Sequence, residues 1–81
     1  MTEFEVRPVA YRVIEHPKKT KAPYWRDPAD VRPSGYWANG TVVEVVDDWT
    51  HDKMILVRDI NSLGGWVFKF HFQPETIWER L

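Results

Sequence analysis

Four prolines, Pro17, Pro23, Pro28 and Pro33, stand five or six residues apart in the first half of the chain. Each ring fixes its own φ, removes a backbone donor and pushes the preceding residue out of the helical region. No helix longer than a turn survives that spacing, and Asp27-Pro28-Ala29-Asp30 has room for one such turn. The remainder of residues 16–39 reads as a single long irregular loop. Loops of this length are uncommon in compact domains and are either functional or disordered. The pairs Tyr24-Trp25 and Tyr36-Trp37 favour order, because their rings would pin the loop to the body.

The flanking segments carry strand signals. In Glu3–Glu15, Phe4 and Val6 alternate in one phase and Val9, Tyr11 and Val13 in the other. The phase changes at Pro8, a residue confined to edges or bulges of a sheet. Asn39-Gly40 marks a turn, and Thr41–Val46 follows with four valines in six residues. Lys53–Asp59 and Trp66–Phe70 read as further strands, separated by Ile60–Gly65, whose two glycines can take positive φ. Residues 75–81 read as either a closing strand or a short helix, and seven residues are too few for a helix that stands alone, which favours strand. These pieces predict an all-β fold over residues 1–81, a small barrel of about five strands with one long proline-punctuated loop at 16–39. Closing the sheet would hide the edges of a Val-rich strand. The alternation places Val43, Val45, Ile55, Val57 and Val67 in the core, and a slip of one residue would turn all five outward.

Eighty-one residues make one small core. A chain of this length buries roughly 60% of its unfolded surface, which leaves little material for a deep catalytic cleft. The net charge of −1 argues against a surface built throughout for nucleic acid. No cysteine is present, so disulfides, thiolate nucleophiles and thiolate metal sites are excluded. No run of 18 apolar residues spans a membrane and the first residues lack an apolar export segment, so a cytoplasmic location is expected.

The run GTVVEVVDDW, KMILVRD, a Gly-rich turn and GGWVFKFHFQPE resembles the C-terminal half of Src-homology-3-like small barrels. Gly40, Val43 and Val45 match the first strand of that layout, Val57 and Arg58 the second, and Gly65-Trp66-Val67 the third. The resemblance implies a barrel whose long first hairpin loop is residues 16–39. Members that grip proline-rich peptides carry an acidic aromatic first loop and tandem tryptophans. Here the loop is basic and Trp49 stands alone, so the resemblance carries the fold and not that ligand.

Nothing in the sequence has the spacing of a catalytic or cofactor motif. Ser34 and Ser62 have no base beside them, and the Ser-Leu-Gly-Gly segment leads into a strand rather than into the helix that a phosphate loop needs. His51 lies among Asp47, Asp48 and Asp52, which read as a solvated acidic turn without calcium-loop spacing. His71 alternates with Phe70 and Phe72 and reads as an exposed strand residue. The expectation is a non-enzymatic protein with neither cofactor nor metal.

Aromatic residues are 15% of the chain and five are Trp, more than so small a core absorbs. The leading expectation is therefore a protein-interaction module that contacts a larger protein through Tyr24, Trp25, Tyr36, Trp37 and Trp49, such as a small accessory or inhibitory protein of a phage or mobile element. The alternative is a nucleic-acid-binding barrel using Lys18, Lys19, Lys21 and Arg26, which surround Tyr24-Trp25. Residues 1–37 carry seven basic and five acidic groups, residues 38–81 four and seven, a polarity suited to steering a partner. Self-association through an open strand edge is a third expectation.

Overall fold

The computed structural model describes residues 9–74 and 77–79. Strands β1 (Val9–Val13), β2 (Lys21–Tyr24), β3 (Gly35–Ala38), β4 (Val42–Asp47), β5 (Met54–Arg58), β6 (Gly64–Phe68) and β7 (Ile77–Glu79) form two antiparallel sheets. One has five strands in the order β6-β5-β4-β1-β7, the other is the β2-β3 pair. The expected mainly-β class holds, and the Val-rich runs form the central strands. Among the described residues the five-stranded sheet ends on β6 and β7, and the two sheets are not closed into a barrel. The small ladder is joined to the large sheet by one backbone bridge, in which Trp25 and Trp66 exchange both N–H···O=C bonds at 3.0 and 2.6 Å.

Residues 16–39 are not an irregular loop: they contain β2 and β3. Pro23 sits inside β2, opposite Tyr36. The Asn39 N–H donates to the Thr20 carbonyl at 2.9 Å, which makes Thr20–Asn39 a hydrogen-bonded pair. Alternation then makes Ala22–Trp37 a bonded pair and Pro23–Tyr36 a non-bonded one. The missing proline N–H therefore costs the ladder nothing, as befits an edge strand of a two-stranded sheet. Asp27–Asp30 forms the expected single turn, closed by the Asp30 N–H on the Asp27 carbonyl and the Ala29 N–H on the Asp27 carboxylate.

Both sheets enclose one apolar cluster of Ile14, Ala22, Tyr24, Trp37, Val43, Ile55, Val57, Val67 and Phe72, with Val45 and Leu63 packed against it. Of the five valines and isoleucines expected inside, four are buried and Val45 lies at the margin. A register shift between Val45 and Asp47 bends β4 there. The Asn39-Gly40 turn forms as expected, with Gly40 at φ 92°, a value glycine adopts at no steric cost. In the β5–β6 turn the positive φ falls on Ser62, not on the glycines. Gly64 and Gly65 lie in β6 instead, and a Cβ on Gly65 would stand 2.5 Å from Tyr24 Cδ1. A Cβ on Gly35 would likewise run into the Tyr24 ring, so these two glycines seat the tyrosine between them.

The third predicted strand ends at Phe68, two residues early, and Lys69–His71 form a 3₁₀ turn. The turn breaks the alternation of Phe68, Phe70 and Phe72. Phe70 goes outward, while His71 and Phe72 go inward, so His71 is buried and not an exposed strand residue. The closing strand appears as β7, antiparallel to β1. The predicted strand around Phe4 and Val6 lies outside the described residues. No helix among the described residues is long and apolar enough to cross a membrane.

Candidate functional site

Strand geometry divides the aromatic pairs. Successive side chains in a strand point to opposite faces, so Tyr24-Trp25 and Tyr36-Trp37 cannot both present two rings outward. Tyr24 and Trp37 are the inward members, 8% and 6% exposed and stacked with centroids 4.2 Å apart. The Trp37 indole N–H donates to Asp59 at 3.0 Å. Partial burial pushes the Asp59 carboxyl up, but N–H bonds from Leu63, the Trp37 indole and Asn61 outweigh it and hold it below the ordinary carboxylate value. Tyr24 and Trp37 are thus core residues, contrary to their expected place on a contact surface. Trp25 and Tyr36 are the outward members.

Trp25 opens a run of rings. Its indole meets Phe68 edge-on at 5.2 Å, and Phe68 stacks with Phe70 at 5.3 Å. Phe70 meets His71 edge-on at 4.4 Å, and His71 lies 4.4 Å from His16. Phe70 is 65% exposed at the crest of this run. Sequence reasoning missed it, since alternation grouped it with Phe68 and Phe72. Burial, with the neighbouring His16 adding to it, lowers the pKa of His71, whose buried Nδ1 has no hydrogen-bond partner among the described residues.

His16 also borders a groove of about 320 Å³, together with Lys19, Lys21, Pro23, Pro33 and Tyr36. The basic turn beside it is held by defined bonds. His16 Nδ1 accepts the N–H groups of Lys18 and Lys19 at 3.0 and 3.1 Å. The Asn39 side chain accepts from the His16 N–H at 2.8 Å and donates to the Lys19 carbonyl at 2.7 Å. The Lys21 ammonium lies 4.6 Å over the ring of Tyr36, itself 52% exposed. Lys18, Lys19 and Lys21 are exposed on this turn, while Arg26 stands beyond Trp25, its N–H tied to Ser34 Oγ, and does not line the groove.

Trp49 is separate. It is 75% exposed in the β4–β5 connector. Asp47 organises that connector by accepting from the Thr50 hydroxyl and from the N–H groups of Thr50 and Trp49, which keeps its carboxyl below the ordinary range. Among the described residues no three His, Asp or Glu side chains converge on a point that could hold a metal ion.

A second groove, of about 430 Å³, lies over the large sheet between Tyr11, Val42, Glu44, Arg58, Asp59, Ile60 and Ser62. Its charges are partnered: Arg58 Nε donates to Glu44 at 2.6 Å, and Asp59 is occupied as described. The chain matches no protein-family model, no curated protein and no solved structure.

Proposed function

We propose that this protein is a non-enzymatic interaction module, a subunit or small regulator that binds a larger protein through the ring run Trp25–Phe68–Phe70. The observation that carries the reading is Phe70, lifted on a 3₁₀ turn and 65% exposed while stacked on Phe68. An exposed ring backed by half-buried aromatic neighbours, as Phe70 is by Phe68 and Trp25, is the kind of anchor that dominates binding energy at protein interfaces. Their neighbours already hold them in place, so little side-chain entropy is lost on docking. Trp49, on its own acidic turn, offers a second contact with a basic patch of the same partner. A distorted Src-homology-3-like layout accommodates this use: β4, β5 and β6 follow one another, a 3₁₀ turn comes next, and a last strand returns to β1.

The test is affinity capture from the source organism with the intact chain, run beside Trp25→Ala and Phe70→Ala. A partner retained by the wild-type protein should bind each variant at least about thirtyfold more weakly, as befits a hot-spot residue. Trp49→Ala should weaken it less. A partner held equally by the wild type, Trp25→Ala and Phe70→Ala would refute the proposed surface.

A further inference from the structure

We infer a second binding site, for a single strand of nucleic acid, in the groove between the basic turn and the outward face of β2–β3. It is independent of the protein-binding surface and meets it only at His16. The groove is lined by His16, Lys19, Lys21, Pro23, Pro33 and Tyr36, and no carboxylate of the described residues lines it. Among the described residues none of Lys18, Lys19 and Lys21 has an ion-pair partner; the one ion pair there joins Arg58 and Glu44. Three cations without an ion-pair partner among the described residues, Lys18 and Lys19 on the turn and Lys21 at the start of β2, raise the local affinity for an anionic chain.

The turn is also pre-organised. His16 Nδ1 and the Asn39 side chain between them hold the amides of residues 16, 18 and 19 and the Lys19 carbonyl. The backbone under the lysines therefore needs no ordering on binding, which removes a usual cost of association.

The side-chain chemistry selects the anion. Lysine is a point charge on a flexible stem and meets a phosphate from any side, without the planar geometry that the arginine fork imposes. No arginine lines this groove. Tyr36, half exposed with the Lys21 ammonium over its ring, can stack a base once that mobile ammonium moves to the phosphate. A nucleotide strand brings an anion and a flat ring at each step, and the groove brings a lysine and a ring. An acidic peptide would satisfy the charges and leave the tyrosine unmatched. The base must be unpaired to reach that ring, which selects a single strand over a duplex.

Fluorescence anisotropy of a labelled oligothymidylate tests the inference. Wild-type protein should bind at low salt, with log affinity falling against log salt at a slope of about −2 for three phosphate contacts, or roughly 100-fold over a tenfold rise in salt. The combined Lys18→Ala, Lys19→Ala, Lys21→Ala variant should lose binding while melting at the wild-type temperature, since all three side chains are exposed. Tyr36→Leu should weaken binding by about tenfold and leave the salt slope unchanged, the signature of lost stacking. Phe70→Ala should bind the strand normally while losing the protein partner, so the two sites fail separately. The inference is overturned by absence of binding at low salt, or by retained binding in the triple lysine variant. Equal affinity for a duplex of the same length, or displacement by polyglutamate as effective as by unlabelled strand, overturns it too.

Discussion

The two faces of the β2–β3 hairpin are built from neighbouring residues and do opposite work. Inward, Tyr24 stacks on Trp37, two glycines make room for the tyrosine, and the indole N–H is bound to Asp59. Outward, Tyr36 and Lys21 lie against one another over a groove edged by prolines, with polar groups still facing water. The difference shows how a chain with little core separates stability from recognition. A two-residue aromatic pair in a strand supplies one ring to each purpose, and the pleat decides which. The same division distinguishes the two grooves. The charges of the one over the large sheet are paired or bonded within the protein, whereas the lysines of the one beside the hairpin have no ion-pair partner among the described residues.

The contrast breaks most sharply at the tyrosines. Tyr24→Ala should cost about 3–5 kcal/mol, the range for removing a large buried ring, whereas Tyr36→Ala should stay within about 0.5 kcal/mol. Denaturant unfolding of both variants measures the gap, and comparable losses would mean that the hairpin's outer face also holds the fold together. Gly65→Ala should come next, at about 1–3 kcal/mol, because its new methyl meets the Tyr24 ring across a tightly filled core. If that variant unfolds at the wild-type denaturant concentration, Tyr24 is free to move and the glycine seat is not needed.

A smaller effect belongs to pH. Folded His71 resists protonation because it is buried, so its folded pKa lies below that of the unfolded chain. The unfolded chain then binds more protons as pH falls below the ordinary imidazole value of about 6.5, and stability declines from there toward the lower folded value. Above that range this contribution is full. His71→Phe should flatten the decline in a melting series across the window; an unchanged decline would assign it to another group. Smallest of all, Arg58→Ala should shift the melting temperature little, because the Arg58 side chain that pairs with half-buried Glu44 is itself exposed and solvent screens the pair.

The large sheet was legible in residue order because Val43, Val57 and Val67 alternate cleanly with outward neighbours, and one buried face enforces one register. The hairpin was not legible, because its strands are four residues long and one holds a proline whose harmlessness depends on a pairing 13 residues away, at Tyr36. Reading β2 and β3 as loop then hid the alternation that sends Tyr24 and Trp37 inside. Phe70 was obscured for the converse reason: alternation was assumed to continue where the backbone turns into a 3₁₀ segment, and Lys69-Phe70-His71 carries no proline or glycine to announce the change. The lysines of the candidate groove were visible as a cluster. What residue order did not convey is that His16 and Asn39, 23 positions apart, lock them in place.

The single bridge between Trp25 and Trp66 has a kinetic consequence. Apart from that reciprocal pair of backbone bonds, the hairpin is held to the large sheet by the Trp37 indole bond to Asp59 and by side-chain packing. Its docking can therefore open as a unit without unzipping β2 from β3. The amide protons of Trp25 and Trp66 should exchange with deuterated solvent at one common rate, faster than those of Ile55 and Val67 deep in the sheet, and that shared rate is a direct clock for the hairpin lifting away.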